Sequence, residues 1–90
     1  MENYEKQDLI FEIIYDVLKN NFNWIKYQDL INQVMDKIKL YQYYSIKKQD
    51  VIKFVNECEK AEYLAFAKSD KNDDNFFVCG YWVGLNKNDD

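Results

Sequence analysis

The sequence predicts a small α+β domain, and three features of the 90-residue chain lead to this prediction. Apolar residues recur at helical spacing in three successive stretches of the first two thirds. Two short aromatic and β-branched segments, joined by a polar loop, follow near the C-terminus. With 48% hydrophobic residues, the chain can form one hydrophobic core but not two. We therefore expect a single domain over residues 1–85, followed by a disordered tail over residues 86–90.

The first helical stretch covers residues 5–20, and its apolar stripe consists of Ile10, Ile13, Ile14, Val17 and Leu18. The pair Asn20-Asn21 can adopt the left-handed conformation that ends helices. The residues that follow are aromatic and β-branched, which favours a brief extended segment. We expect Phe22 to lie in the core and Trp24 to pack behind the second helix.

The second and third helices are also predicted from apolar stripes. The stripe of the second helix has the clearest helical spacing in the chain and consists of Tyr27, Leu30, Ile31, Val34, Met35 and Ile38. A tyrosine-rich connection then breaks the pattern, and Ser45 is the predicted N-cap of a third helix over residues 46–60. The residues that this third helix would bury are Val51, Phe54, Val55 and Cys58.

Two segments near the C-terminus, residues 63–67 and 76–83, are predicted to form a β-hairpin with a polar tip. Alternation along the second strand places Phe77, Cys79 and Tyr81 on the face opposite to its even-numbered residues. Both faces of the hairpin are apolar, so one can lie on the core while the other needs a cover. That cover would be the chain's own tail, a second copy or a partner helix.

The predicted order of elements is helix, short strand, helix, helix, strand, strand, which is the order of a winged helix. We therefore predict a three-helix bundle with a C-terminal β-hairpin wing. Three segments carry a closer resemblance: Tyr-Gln-Asp-Leu-Ile-Asn-Gln-Val at 27–34, Ser-Ile-Lys at 45–47 and Asp-Asp-Asn-Phe at 73–76. With these segments, the chain over roughly residues 7–79 resembles the C-terminal winged helix of the middle subunit of replication protein A.

This resemblance implies a protein-recognition module that binds helical segments of DNA repair and replication factors. The parent complex of such a module would hold single-stranded DNA through its other parts. A telomere-associated relative of that subunit has the same signals, and the two remain alternatives. Either would be an intracellular protein, in the nucleus if the source is eukaryotic. The family has a glycine in the turn after the third helix, where this chain has Ala61-Glu62.

The composition argues against catalysis. All twelve basic residues are lysine, and histidine is absent, which removes the side chain most used for acid–base catalysis near neutral pH and a common zinc ligand. The two serines, Ser45 and Ser69, therefore have no histidine to activate them. The sequence contains neither a glycine-rich phosphate loop nor a metal-ligand cluster. We expect a protein that is not an enzyme and binds no cofactor and no metal ion.

The cysteines and the apolar runs indicate an intracellular protein. Cys58 and Cys79 fit neither a Cys-x-x-Cys motif nor a dense disulfide pattern, so both are predicted to be reduced, buried packing residues. No apolar run approaches the ~20 residues that cross a bilayer. The N-terminus lacks the pattern of a secretory signal. We expect no membrane span.

The polar tip of the hairpin, residues 68–75, carries Asp70, Asp73 and Asp74 against two lysines. Because the whole chain has a net charge of −4, such a wing would repel the phosphates of duplex DNA. It favours instead a protein partner that presents a basic amphipathic helix. The predicted partner-binding residues are Glu59, Glu62, Tyr63, Asp70, Asp73, Asp74, Phe77 and Tyr81. The alternative is a loop that serves solubility alone.

DNA binding through the third helix is the second functional hypothesis. A small winged-helix transcriptional regulator would contact DNA with Lys47, Lys48 and Lys53, as a homodimer formed through the C-terminal strand that contains Trp82. The alternative for these lysines is solvated charge on a helix surface. A third hypothesis is an acidic phage or virus protein that occupies the DNA-binding groove of a host factor.

Overall fold

Three helices and one three-stranded antiparallel sheet are present in the computed structural model, which describes residues 3–81. The elements are α1 (Asn3–Asn20), β1 (Ile25–Lys26), α2 (Tyr27–Leu40), α3 (Lys48–Lys60), β2 (Leu64–Ala67) and β3 (Phe77–Gly80). The α+β class and the predicted order of elements are confirmed. The predicted tail and the predicted strand residues beyond Tyr81, including Trp82, lie outside the described residues. None of the helices within residues 3–81 has the length and apolarity needed to span a membrane.

The hydrophobic core lies between the three helices and one face of the sheet. The buried helical residues are Ile10, Ile13, Ile14, Val17 and Leu18 from α1, Leu30, Ile31, Val34 and Ile38 from α2, and Val51, Val55 and Cys58 from α3. These are the predicted apolar stripes, completed by partly buried Tyr27, Met35 and Phe54. Helical spacing thus identified the packing face of each helix, because apolar residues at this spacing line up on one side.

Strand β3 is the centre of the sheet, and the strand order is β1-β3-β2. Both pairings are antiparallel. Residues that face each other across the strands share one face of the sheet. The core face consists of Ile25, Leu64, Phe66, Val78 and Gly80, and the opposite face of Lys26, Ala65, Ala67, Phe77 and Cys79. The predicted alternation along β3 is therefore confirmed.

All three helices end in the same type of turn, although none of the turns contains a glycine. The left-handed residues are Phe22 (φ 59°), Gln42 (φ 62°) and Glu62 (φ 65°). In each turn, the N–H of the next residue donates to the carbonyl oxygen five residues back, at 2.7, 3.0 and 2.9 Å, respectively. These are hydrogen bonds of the Schellman motif, in which glycine is the usual left-handed residue.

The connection between α1 and β1 differs from the prediction. The left-handed residues are Phe22 and Asn23, rather than Asn20 and Asn21, and the strand begins only at Ile25. Phe22 is 94% exposed, so the prediction that it lies in the core is wrong. The physical reason is the turn itself, because closing α1 through the Asn23 N–H leaves Phe22 at the outer corner of the chain.

Asn23 also completes the sheet with its side chain. Its Nδ2–H donates to the carbonyl oxygen of Gly80 at 3.0 Å, and the Gly80 N–H donates to Asn23 Oδ1 at 2.6 Å. The amide thus makes the two hydrogen bonds that a further residue of β1 would make with β3. We call this pair of bonds the Asn23 clamp.

The start of the third helix also differs from the prediction. Helix α3 begins at Lys48 with Lys47 as its N-cap residue, so Ser45 is not the cap. The Lys47 N–H donates to the Asp50 carboxylate at 2.9 Å, and the Asp50 N–H donates to the Lys47 carbonyl oxygen at 3.0 Å. An acidic side chain in the first turn therefore closes this helix end, which also suits the helix dipole.

Candidate functional site

The face of the sheet that points away from the core carries a stacked aromatic pair. Trp24 precedes β1 and stacks on Phe77 of β3, with ring centroids 5.1 Å apart and an angle of 13° between the planes. Trp24 is 51% exposed, so the prediction that it packs behind the second helix is wrong. Alternation explains its position, because Trp24 and Lys26 flank the buried Ile25 and must point to the other face.

We define the outer face by Trp24, Lys26, Ala65, Ala67, Phe77 and Cys79. Its charged member is Lys26, whose ammonium lies 6.0 Å from the centroid of the Phe77 ring. Cys79 is only partly buried, contrary to the prediction for this thiol. The surface is uneven, because the β2 side presents methyl groups while the β1 side presents the stacked rings. The apolar side of another helix can therefore lie along Ala65 and Ala67, beside the Trp24–Phe77 pair.

The two cysteines distinguish the core from the outer face. Cys58 is buried in α3, where desolvation, with a smaller contribution from the nearby Glu57 carboxylate, raises its pKa to about 11. Burial also raises the pKa of Cys79 above its ordinary value. Both thiols are free, as predicted. Cys79, being partly exposed, is the thiol that a reagent or a partner can reach on the outer face.

The predicted partner-binding residues fall into two groups at opposite ends of the hairpin. At its base, the Tyr81 N–H donates to the Tyr63 carbonyl oxygen at 3.0 Å, and both tyrosines are more than half exposed. Glu59 and Glu62 lie beside them, at the end of α3 and in the turn that follows. The Tyr63 ring meets Phe11 of α1 edge-on, with centroids 6.0 Å apart.

At the tip of the hairpin, the carboxylates differ in the hydrogen bonds that they accept. Asp73 accepts hydrogen bonds from the Ser69 N–H at 3.1 Å, the Ser69 hydroxyl at 3.1 Å and the Asn75 N–H at 2.8 Å. The backbone hydrogen bond from Ser69, followed by that from Asn75, lowers the pKa of Asp73. Asp70 accepts the Asn72 N–H at 2.8 Å. Within residues 3–81, Asp74 makes no hydrogen bond or ion pair, so it is the carboxylate most open to a partner.

The outer face connects these two acidic ends. Strands of four residues, at about 3.3 Å per residue, separate the base from the start of the tip by about 13 Å. A helix of about nine residues has the same length. Phe77, a predicted binding residue, lies between the two groups, with Ala67 on one side and Lys26 on the other. The apolar strip and its acidic ends thus match the length of a short amphipathic helix.

The lysines that were predicted to contact DNA do not share one face of α3. Lys48 and Lys53 are five residues apart, which separates them by about 140° around the helix axis. Lys53 lies beside a shallow pocket between α1 and α3, which Asp50 and Glu57 also line. Asp50 in turn forms an ion pair with Lys6 at 3.7 Å. Lys47 and Lys48 are exposed at the start of the helix, where the Asp50 carboxylate already accepts the Lys47 N–H.

Another concave surface is a cleft of about 320 Å³ between α1 and the end of α2. It is lined by Leu9, Glu12, Ile13, Asp16, Lys37, Tyr41 and Tyr43. Lys37 and Asp16 form an ion pair at 2.9 Å, and this hydrogen bond raises the pKa of Lys37. Tyr43 packs on the core, and Tyr41 lies against it with ring centroids 5.6 Å apart. These two tyrosines thus line the cleft at the end of α2.

No protein-family model matches the chain, and no curated protein or solved structure matches it either. Within residues 3–81, no three side chains of the types His, Cys, Asp and Glu lie close enough to hold a metal ion. The function is therefore inferred from the chemistry of the outer face, its acidic ends and the surface of α3.

Proposed function

We propose that this protein is a non-catalytic winged-helix module that binds a basic amphipathic helix of a partner protein across the outer face of its sheet. The observation that carries this proposal is the apolar strip of the outer face, bounded by acidic residues at both ends. A partner helix would lay its apolar side on Ala65, Ala67 and Cys79, against the Trp24–Phe77 pair. Its basic residues would meet Glu62 at the base and Asp74 at the tip.

The winged-helix assignment is supported by the order of elements and by the short β1 strand that joins the hairpin. The turn after α3 gives further support. Glu62 has a left-handed φ of 65°, so this turn keeps the backbone conformation that favours the glycine of the replication protein A family. We therefore extend the proposal to the partners that the resemblance implies, namely helical segments of replication, repair or telomere factors in the nucleus. No cofactor, metal ion or membrane takes part.

The two parts of the surface would contribute differently to binding. Covering a half-exposed aromatic side chain gains about 2 kcal/mol, so Trp24 and Phe77 would supply most of the affinity. The exposed carboxylates would contribute less to affinity, because solvent screens them. They would instead accelerate association and select against acidic helices.

Nuclear magnetic resonance titration tests this proposal. The probe is a synthetic amphipathic helix of about 18 residues, with leucine and alanine on one side and lysine on the other, and its control is the same peptide with glutamate for lysine. We expect the amide signals of Ala65, Ala67, Phe77 and Cys79 to shift with the basic peptide only. The bound peptide should also protect Cys79 from alkylation. Shifts confined to α1, or equal binding of the acidic peptide, would contradict the proposal.

Three variants of the protein separate the contributions. Trp24→Ala should weaken peptide binding about tenfold or more, because it removes half of the aromatic pair. Asp74→Asn should weaken it about twofold, and this loss should disappear at high salt. Asp29→Asn, an exposed acidic residue in the first turn of α2, is the matched control and should leave binding unchanged.

DNA binding remains a second candidate function, favoured by the exposure of Lys47 and Lys48 at the start of α3. It predicts duplex binding that weakens steeply with salt. Reversing both charges, in Lys47→Glu/Lys48→Glu, should abolish that binding while leaving the amphipathic peptide bound to the outer face. Absence of duplex binding by the unaltered protein at about 50 mM salt would rule this candidate out.

A further inference from the structure

The segment over residues 37–49, which includes the end of α2 and the start of α3, differs in charge from the rest of the chain. It contains four of the twelve lysines and none of the sixteen acidic residues. The rest of the chain carries twice as many acidic residues as lysines. Because the protein as a whole is negative, this concentration of positive charge favours the binding of a polyanion at this segment rather than elsewhere.

Three of these four lysines are open to a ligand. Lys37 is engaged by Asp16, with 2.9 Å between its ammonium and the carboxylate. Lys39, Lys47 and Lys48 are exposed, and none of them forms an ion pair within the described part of the chain. Their ammonium groups therefore keep the charge that contact with a phosphate requires.

Neighbouring carboxylates restrict a polyanion to one end of this segment. Glu12 lines the same cleft as Tyr41, and Asp36 lies one helical turn before Lys39. Both carboxylates would repel a phosphate at the end of α2. The favourable end is therefore the one that continues into α3.

At the start of α3, negative charge is either compensated or distant. Asp50 accepts the Lys47 N–H at 2.9 Å and forms an ion pair with Lys6 at 3.7 Å. Glu57 follows Lys48 by nine residues, which places it about 14 Å further along the helix axis. This distance exceeds the Debye length of about 8 Å at physiological salt, so the acidic end of α3 scarcely weakens the attraction.

Tyr44 presents an open aromatic ring beside these lysines. The Ile46 N–H donates to the Tyr43 carbonyl oxygen at 3.0 Å, which places Tyr44 at the corner of a turn. Tyr43 packs on the core and Ile46 is buried, so both ends of the turn are fixed. Tyr44 itself is 66% exposed and contacts no other ring in the described part of the chain. A ring held in this way offers a face to an unpaired base.

We propose that the start of α3 and the turn before it bind a single-stranded nucleic acid, with a base stacked on Tyr44 and adjacent phosphates on Lys47 and Lys48. A single strand is favoured over a duplex because paired bases already stack on each other and offer no face to the ring. An acidic peptide would use the lysines but not the ring, since the face of an aromatic ring carries negative potential.

This site shares no residue with the outer face, so it is a property beyond the proposed helix binding. It also differs from the second candidate function, because its ligand is a single strand and its specific contact is Tyr44. Loss of either function in an experiment therefore leaves the other intact.

Fluorescence anisotropy with a labelled oligothymidylate of 12 nucleotides tests the proposal. At about 50 mM salt, the dissociation constant should be about 0.1 mM or lower. A 12-unit strand of abasic sites, which has the same phosphates but no bases, should bind about fivefold more weakly. The oligothymidylate annealed to its complement should also bind more weakly than the single strand, despite its greater charge. No binding, equal binding of the abasic strand, or tighter binding of the duplex would overturn the proposal.

Substitution of Tyr44 separates stacking from charge. Tyr44→Ala should weaken oligothymidylate binding about fivefold and leave binding of the abasic strand unchanged. Tyr44→Phe, which keeps the ring, should bind as the parent does. Tyr81→Ala replaces another half-exposed tyrosine, at the base of the hairpin, and is the matched control that should have no effect. Because Tyr44 is largely exposed, its variants should fold, which thermal unfolding checks. Unchanged oligothymidylate binding by a folded Tyr44→Ala protein would overturn the proposal.

The salt dependence tests the two lysines. The association constant should fall with salt with a log–log slope of about −1.4, which is about −0.7 for each phosphate contact on a single strand. Lys47→Gln/Lys48→Gln should remove most of this slope, whereas Lys71→Gln in the hairpin tip should leave it unchanged. A slope that the double variant does not alter would overturn the proposal. Tighter binding to phosphatidylserine vesicles than to the oligonucleotide would also overturn it, in favour of a membrane surface.

Discussion

The core face and the outer face of the sheet are built from similar side chains but have different surroundings. On the core face, Leu64 and Val78 are almost completely buried against the helices. On the outer face, Trp24 and Phe77 stack on each other and Trp24 remains half exposed. A similar apolar strip thus stabilises the fold on one side of the sheet and remains partly exposed on the other. Substitutions on the two faces should therefore separate stability from binding.

Substitutions on the core face should destabilise the protein most. Leu64→Ala should lower the free energy of unfolding by about 3 kcal/mol, because it removes buried methyl groups and leaves a cavity. Phe77→Ala on the outer face should cost about 1 kcal/mol, since the ring loses its contact with Trp24 but is already partly hydrated. Urea denaturation measures both. Equal losses would mean that the outer face is covered in solution, and the comparison of the two faces would then fail.

Substitution of Asn23 should cause the second-greatest loss of stability, because the Asn23 clamp holds the position of Trp24 relative to the sheet. Asn23→Gly removes both hydrogen bonds to Gly80 but tolerates the left-handed backbone, and should cost about 1–2 kcal/mol. Asn23→Ala should cost about 1 kcal/mol more, because alanine also opposes a φ of 62°. Thermal unfolding of the two variants gives the comparison. A glycine variant as stable as the parent would show that the clamp contributes nothing.

The helices could be predicted from the sequence because each apolar stripe is a local pattern. The ends of the helices could not, because the usual signal is a glycine and the turns contain Phe22, Gln42 and Glu62 instead. The Asn23 clamp joins residues 57 positions apart, a distance over which no local pattern extends. The outer face was predicted in part. Alternation placed Phe77 and Cys79 together, whereas Trp24 was assigned to the wrong side because the strand was expected to begin too early.

Substitution of Phe22 should have a smaller effect of the opposite sign, a gain in stability. Phe22→Gly should stabilise the protein by about 1 kcal/mol, because the exposed ring makes little contact while its backbone is left-handed. Phe22→Ala is the control and should change stability by less than about 0.5 kcal/mol. The same two variants define how far the outer face extends. Loss of peptide binding in both, as large as that in Trp24→Ala, would add Phe22 to the binding surface.

The smallest effect should be confined to the hairpin tip. The pKa of Asp73 is lowered in the folded protein, so its carboxylate stabilises the tip above the ordinary Asp value of about 3.9. This contribution should be lost as the pH falls through the lowered pKa, because the protonated acid is a poorer acceptor for the Ser69 and Asn75 N–H groups. The amide signals of these two residues, followed by pH titration, should therefore have a midpoint below about 3.9.

Asp73→Asn and Asp74→Asn make the matched pair for this titration, since they remove the same charge from neighbouring residues. The first variant should abolish the titration of the Ser69 and Asn75 amides, whereas the second should leave it in place, because Asp74 binds neither group. The amides of Leu64 and Val78 should not titrate over this acidic range in either protein, because the buried core residues include no carboxylate. If the Leu64 and Val78 signals shifted with the same midpoint as the signals of the tip, the tip and the core face would form one cooperative unit. The acidic end of the outer face could then not adjust to a partner independently of the fold.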